Sequence, residues 1–354
     1  MKAPMPWFGG KSRIAPLVWQ RLGDAPNYVE PFFGSGAVLL ARPDAHEWWD
    51  RIETINDADG MVSNFWRAVR DDPSGVAHHA DWPVNENDLH ARHSWLVGER
   101  ARIVSRLEGD PGWYDAQVAG WWLWGICSWI GSGWCSGKGP WQRIDGELVH
   151  LGDAGRGINR KLPHLGDAGR GINRKLPHLG AGQGINRQLP HLGDARQGHA
   201  TAWSQHLAAM MTALADRLRR VRVCCGDWSR VCGPSPTTRL GLTAVFLDPP
   251  YDHAERDAAI YAHEDDCGAR VAAWAIEHGD DPRYRIALCG YDGEHEMPDT
   301  WERVSWKAKG GYGSQGNGRG RENAEREVVW FSPHCLRPDA DYTTTLSLFA
   351  EAIA

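Results

Sequence analysis

The stretch "NYVEPFFGSGAVLLA" (residues 27–41) decides the fold class of this chain. Residues 28–30 predict a short strand, and Gly34 and Gly36 break the chain before a helical run that begins near Ala37. A strand, a glycine loop and a helix in succession form the first unit of a doubly wound α/β sheet. We therefore predict an α/β protein.

The neighbouring segments extend this unit in both directions. After Gly9 and Gly10 we expect a helix over residues 12–22, with Ser12 as its cap and Lys11 just before it. About 20 residues after the glycine loop, "RIETINDAD" predicts a second strand that ends in Asp57. In nucleoside-binding α/β folds, an acid at this point hydrogen-bonds ribose hydroxyls.

An insert at 61–200 interrupts the alternation of strands and helices. The insert is predicted to be helical up to about residue 135. Regular alternation resumes after it, with predicted helices over 201–221 and 267–278 and predicted strands over 221–227, 243–247, 284–292 and 326–332. Strands and helices alternating on both sides of an insert point to one α/β sheet with an inserted segment.

The bulk composition is that of a soluble globular protein, with 42% hydrophobic and 24% charged residues. The most apolar run, residues 119–131, is too short to span a bilayer and predicts a core helix. No secretory signal pattern is present, and the eight cysteines include no CxxC pair. We expect a cytoplasmic protein with reduced thiols, no membrane contact and no metal site.

The charge of the chain is unevenly distributed. Residues 150–199 carry eight Lys and Arg against three Asp, a net +5, whereas the whole chain has −6. This segment holds "HLGDAGRGINRKLP" twice without change, at 150–163 and 164–177, and a shortened copy at 178–190. A locally basic insert on an acidic body is typical of an enzyme that meets a polyanion with one part only.

The stretch "VFLDPPYDH" (residues 245–253) predicts a site rather than a plain turn. A buried strand ends in Asp248, and Pro249 and Pro250 then fix the chain and remove two N–H donors. Tyr251 follows on the same rigid turn. A carboxylate, a backbone carbonyl and a ring held together suit a planar ligand.

Several of these motifs together resemble the Dam-like, alpha-group family of adenine-N6 DNA methyltransferases. The matching stretches are "WFGGKSR", "VEPFFGSGAV", "INDAD", "CGDW", "DPPY" and "REVVWF", in that family's order. The glycine loop is F-x-G-x-G, and the chain lacks the G-K-[ST] of a triphosphate-binding loop at this point. The resemblance covers residues 1–60 and about 201–335.

The resemblance implies a Rossmann-like sheet that binds S-adenosylmethionine, formed by residues 1–60 and 201–354, with a helical and loop-rich target-recognition insert at 61–200. It implies cofactor contacts from Trp7, Lys11, Glu30, Phe32, Gly34, Gly36, Asp57 and Asp227. Within that set, Lys11 would meet the cofactor's carboxylate, Asp57 the ribose hydroxyls and Asp227 the adenine amine. Asp248, Pro249, Pro250 and Tyr251 would form the catalytic turn, with Tyr251 stacked on a flipped adenine of duplex DNA.

Two basic segments are candidates for DNA contact. The repeats supply Arg156, Asn159, Arg160, Arg170, Asn173 and Arg174, and the loop "KAKGGYGSQGNGRGR" (307–321) supplies Lys307, Lys309, Arg319 and Arg321. For the repeats, a tolerated solvated expansion is the alternative, since two copies are identical and one is then spare.

The residues leave other functions open. The same turn chemistry would serve a cytosine-N4 DNA methyltransferase, although such enzymes more often carry Ser at the position of Asp248. RNA or protein-glutamine methylation, or a catalytically silent DNA-binding role, are further alternatives. We expect a monomer, because one flipped base needs one active site. No nuclease motif is evident, which favours a solitary or phage-type enzyme over a partner in restriction and modification.

Overall fold

The computed structural model describes residues 1–7, 9–43, 51–129, 134–135, 141–144, 147–150, 200–251, 267–306 and 326–337. Its strands are β1 (Asn27–Glu30), β2 (Ile52–Asp57), β3 (Trp141–Ile144), β4 (Glu147–His150), β5 (Val221–Cys225), β6 (Thr243–Leu247), β7 (Tyr284–Tyr291), β8 (Glu302–Ser305) and β9 (Glu327–Phe331). Its helices are α1 (Ala15–Leu22), α2 (Ala37–Leu40), α3 (Gly60–Asp71), α4 (Pro73–Ala80), α5 (Glu86–Gly109), α6 (Ala116–Ser128), α7 (Ala200–Leu218) and α8 (Cys267–Gly279).

Seven of the described strands form one sheet in the order β5-β2-β1-β6-β7-β9-β8. The first five run parallel, and β9 lies antiparallel between β7 and β8. When the five parallel strands are numbered by their order in the chain, their order across the sheet is 3-2-1-4-5. This is a doubly wound order, and it reverses direction between β1 and β6. The predicted Rossmann-like α/β class is confirmed.

Both faces of the sheet are covered. Along β6, Ala244 and Phe246 join one apolar cluster, whereas Val245 and Leu247 join another on the opposite face. This alternation follows from the two-residue period of a strand. Every residue of β1, β6 and β9 is buried, as expected of strands covered by helices on both sides.

The helical part of the predicted insert shares its core with the sheet. Trp66 of α3 and Trp122 and Trp124 of α6 are at most 2% exposed, and they belong to the same cluster as Tyr28 of β1. Helix α6, which contains most of the apolar run at 119–131, is therefore a core helix, as predicted. Among the described residues, no helix is both long enough and apolar enough to cross a membrane.

The structure corrects the predicted start of the first helix. Helix α1 begins at Ala15 rather than Ser12, and Ile14 precedes it without a side-chain cap. The backbone carbonyl of Lys11 accepts hydrogen bonds from the N–H groups of Ile14 and Ala15, so the intervening residues form a turn. Pro16 then sets the helical geometry of the first turn.

Three strands were not predicted from the sequence. The antiparallel hairpin of β3 and β4 lies in the insert, just before the repeats. Strand β8 is only four residues long and alternates half-buried with exposed positions at the sheet edge. Short polar strands of this kind carry little periodic signal, because their pairing partner rather than their own pattern defines them.

Candidate active site

The predicted site residues lie along one edge of the sheet. Glu30 ends β1, Asp57 ends β2 and Asp248 follows β6 directly. Strands β1 and β6 flank the point where the strand order reverses. Open α/β sheets bind ligands in the crevice outside the carboxyl ends of their strands at such a point.

The glycine loop after β1 needs its two glycines for conformation and space. Gly34 has φ +47° and Gly36 has φ +69°, a region that residues with a Cβ atom rarely adopt. A Cβ atom on Gly34 would lie 2.5 Å from Nε1 of Trp7, and one on Gly36 would lie 2.6 Å from the ring of Phe33. Of the two aromatic side chains, Trp7 was predicted as a cofactor contact, and the structure places it against this loop.

Asp57 is tied to the same loop by hydrogen bonds. Its Oδ2 accepts the N–H of Gly34 at 2.9 Å, and its Oδ1 accepts the N–H of Asp59 at 2.8 Å. Burial raises the pKa of Asp57 to about 7, and the charge of Asp59 adds to the shift. The carboxylate is therefore held in a fixed orientation at the edge of the sheet.

Asn56 is a site residue that the sequence analysis missed. Its buried side-chain amide donates to the carbonyl of Pro31 at 3.1 Å and to the carbonyl of Gly226 at 2.9 Å. It thereby joins the loop after β1 to the turn after β5. An asparagine inside "INDAD" gives no sequence signal for this bridge, because its two partners are distant in the chain.

Glu30, the last residue of β1, is buried and 2% exposed. The hydroxyl of Tyr28 donates to its Oε2 at 2.7 Å. Burial raises the pKa of Glu30 to about 8, and the charge of Asp248 also raises it, against the effect of the Tyr28 hydrogen bond. The charges of Glu30 and Asp248 therefore interact across the point where the strand order reverses.

Asp227, the acid predicted to meet the cofactor's adenine amine, lies just after β5 and is exposed. It precedes a short 3-10 turn (Trp228–Val231) and accepts the N–H of Ser229 at 2.9 Å, which makes it a cap. Its other oxygen lies 3.9 Å from Arg270. Burial opposes the charged form, but the hydrogen bonds from Ser229 outweigh it and lower the pKa of Asp227. Phe32 lies beside this turn, with its ring centroid 6.5 Å from that of Trp228.

The turn after β6 carries a network centred on Asp248. The hydroxyl of Tyr251 donates to Oδ1 of Asp248 at 3.0 Å, and Nζ of Lys11 lies 3.1 Å from the same oxygen. Pro249 is buried and Pro250 half-buried. The Tyr251 hydrogen bond and the Lys11 ion pair both fall on Oδ1 of Asp248.

Lys11 lies in the centre of this network rather than at its edge. It is 4% exposed, its Nζ donates to the carbonyl of Gly9 at 3.0 Å, and it lies 3.6 Å from Oε2 of Glu327. Burial alone would lower the pKa of Lys11, but the charges of Asp248 and Glu327 raise it above its usual value. The structure therefore pairs Lys11 with Asp248 of the predicted catalytic turn, and the contact of Lys11 with the cofactor's carboxylate stays a prediction.

The ring of Tyr251 is packed inside the described part of the structure. Its ring is 3% exposed and meets that of Tyr291 edge to face, with centroids 4.7 Å apart. The stacking of this ring on a flipped adenine stays a prediction. What Tyr251 offers to the site is its hydroxyl, bound to Asp248.

The predicted DNA-contacting residues lie outside the described residues. This holds for the positions at 156–174 and for those at 307–321. No group of three or more His, Cys, Asp or Glu that could hold a metal ion occurs among the residues that the structure describes. The DNA contacts and the metal-free chemistry both stay predictions.

A family comparison adds to this geometry. Residues 7–91 match the model of the D12 class N6 adenine-specific DNA methyltransferase family. The resemblance to adenine-N6 DNA methyltransferases is therefore confirmed. The match includes Lys11, the glycine loop and Asp57, and the predicted enzyme class, an adenine-specific DNA methyltransferase that uses S-adenosylmethionine, is that of the family. The Dam-like subgroup stays a prediction, and no curated protein matches the chain.

Proposed function

We propose that this protein transfers a methyl group from S-adenosylmethionine to the N6 amine of an adenine flipped out of a short duplex DNA sequence. The observation that carries the proposal is the network of Lys11, Asp248 and Tyr251 at the switch point of the sheet. The network lies beside the glycine loop and Asp57. Both belong to the stretch that matches a family of adenine-specific DNA methyltransferases.

The residues at the sheet edge fit S-adenosylmethionine. Asp57 is fixed by two backbone N–H groups and keeps further lone pairs for ribose hydroxyls, and the exposed Asp227 can accept an adenine amine. Asp248 gives the crevice an acidic group that suits a cationic sulfur, and the buried Glu30 is proposed as part of the pocket wall. We propose Trp7, Phe32, Gly34 and Gly36 as the walls of this pocket.

The catalytic turn supports direct transfer to an amine. S-adenosylmethionine, when bound, would supply an electrophilic methyl group: the amine lone pair forms the N–C bond, and the electron pair of the broken C–S bond stays on the sulfur. An adenine amine is a weak nucleophile, since its lone pair is delocalised into the ring. We assign Oδ2 of Asp248 and the carbonyl of Pro249 as acceptors for its two N–H groups, which directs the lone pair away from the ring. The nitrogen becomes cationic on transfer, and Asp248 takes the proton that it then loses.

The DNA side of the proposal rests on accessibility. The target nitrogen is unreachable inside a stacked duplex, so the base must be flipped into the crevice beside Asp248. The basic residues of the repeats and of the 307–321 loop are the proposed contacts to phosphates. We further propose a monomer that acts in the cytoplasm without an obligatory restriction partner.

Long-read sequencing of plasmid DNA tests this proposal. Plasmid is recovered from cells that express the wild type, Asp248→Ala or Asp216→Ala, the last being an exposed position in α7 with no proposed role in the site. We expect N6-methyladenine at one short motif with the wild type and the control, and none with Asp248→Ala. Modified cytosine would replace the proposal with the N4 reaction. Unmodified DNA, with S-adenosylmethionine still bound in calorimetry, would refute methylation of DNA.

A further inference from the structure

Glu327 is a buried acid inside the stretch "REVVWF", and no role at the site follows for it from the sequence alone. It is 6% exposed, begins β9 and pairs in register with Tyr291 of β7. Because β9 runs antiparallel to β7, its first residue reaches the same edge of the sheet at which β7 ends. Glu327 thereby meets Lys11, although the two residues are far apart in the chain.

One lysine serves two carboxylates in this cluster. Nζ of Lys11 lies 3.1 Å from Asp248 and 3.6 Å from Glu327, and the rings of Tyr251 and Trp306 face it at 5.0 and 5.7 Å from their centroids. The side chains of Lys11 and Glu327 are 5% and 8% exposed. Water therefore screens their interaction poorly, and the cluster of Lys11, Asp248 and Glu327 carries a net charge of −1 when both acids are ionised.

We infer that Glu327 is a positioning residue for the methyl transfer, acting on Asp248 through Lys11. A lysine paired with Asp248 alone would neutralise that carboxylate and weaken it as an acceptor. Glu327 draws part of the lysine's charge to itself, so that Lys11 fixes Oδ1 of Asp248 while Oδ2 keeps its negative character toward the amine. The net negative charge then stabilises the positive charge that develops on the amine nitrogen. This inference rests on the proposed function.

Two substitutions separate the charge of Glu327 from its shape. Glu327→Gln keeps the shape and removes the charge, whereas Glu327→Asp keeps the charge and shortens the side chain. Glu302→Gln is the matched control, since Glu302 is also a glutamate of the antiparallel edge that pairs with an arginine, Arg21, away from Asp248. The measurements are kcat, KM for DNA, the dissociation constant of S-adenosylmethionine and the melting temperature.

We expect Glu327→Gln to lower kcat about tenfold, less than the loss of a group that contacts the reacting atoms. The KM for DNA and cofactor affinity should stay near wild type, and Glu327→Asp should keep more of kcat than Glu327→Gln. If Glu327→Gln keeps the wild-type kcat, this inference is overturned while the proposed function stands. A larger loss in Glu327→Asp, together with a fall in melting temperature and in cofactor affinity, would mean packing rather than charge and also overturns it. If the wild-type protein transfers no methyl group to DNA, the proposed function and this inference are both refuted.

Discussion

The backbone N–H of Gly34 donates a hydrogen bond to Oδ2 of Asp57 over 2.9 Å, across the carboxyl ends of β1 and β2. The bond joins the glycine loop to the acid proposed to hold the ribose. Trp66 donates to the carbonyl of the same glycine at 2.9 Å, so both backbone groups of Gly34 are engaged. The shape of the loop and the orientation of the acid are therefore set together.

Gly34→Ala should disturb the loop and the cofactor pocket. Its φ of +47° and the 2.5 Å approach to Trp7 leave no room for a methyl group. We expect the free energy of unfolding to fall by about 1–3 kcal/mol, with weaker binding of S-adenosylmethionine in calorimetry. Gly98→Ala in α5 is the control, because no atom lies within 4 Å of its Cβ position. That variant should gain about 0.5–1 kcal/mol, and equal behaviour of the two would contradict the assignment.

Glu30 should make the stability of the ligand-free protein depend on pH. Its pKa rises from 4.5 to about 8 on folding, chiefly through burial, so the folded state binds the proton more tightly than the unfolded state. The stabilisation is complete below pH 4.5 and is lost as the pH rises through 8. Thermal melting between pH 5 and 9 should show a falling melting temperature, with a shallower fall in Glu30→Gln. If the melting temperature falls equally with pH in the wild type and in Glu30→Gln, Glu30 does not cause the fall.

Removal of Lys11 should cost stability as well as activity. Lys11→Met leaves Asp248 and the buried Glu327 without their shared cation, and breaking a buried ion pair in this way costs about 3–5 kcal/mol. Urea unfolding at pH 8 measures the loss, and the exposed Lys2→Met serves as control. Combining Lys11→Met with Glu327→Gln should recover part of the loss. Simple addition of the two effects would show that Lys11 and Glu327 are not coupled.

Tyr251→Phe distinguishes base stacking from the contact seen in the structure. The variant keeps the ring against Tyr291 and removes only the hydroxyl that binds Asp248. We expect about 1 kcal/mol lower stability and a reduced kcat, with the KM for DNA unchanged. If the ring stacked on the target base instead, Tyr251→Phe would turn over like the wild type and only Tyr251→Ala would fail.

The basic loop at 307–321 should contribute to DNA affinity through charge. Replacing Lys307, Lys309, Arg319 and Arg321 by Ala removes four positive charges in a stretch without acids. Each lost phosphate contact should make the dependence of log K on log salt shallower by about 0.9. Fluorescence anisotropy with a labelled duplex measures that slope. An unchanged slope would leave the repeats as the remaining candidates.

Much of the fold followed from local patterns. The strand at residues 28–30, the glycine loop and the helix near Ala37 were predicted within about one residue, because periodicity and glycine act over a few neighbours. The start of α1 was wrong, since Ser12 resembles a cap in sequence while the carbonyl of Lys11 organises a turn there. Strand β8 was missed because its pairing with β9, rather than its own four residues, defines it.

The sequence by itself determined the α/β class, the glycine loop, the acids at the strand ends and the rigid turn at Asp248. Each of these depends on residues that are close in the chain. Only the tertiary structure decided that Lys11, Asp248 and Glu327 form one cluster, and that Tyr251 contacts Asp248 and Tyr291. The physical reason is the insertion of β9 antiparallel between β7 and β8, a long-range register that no local periodicity encodes.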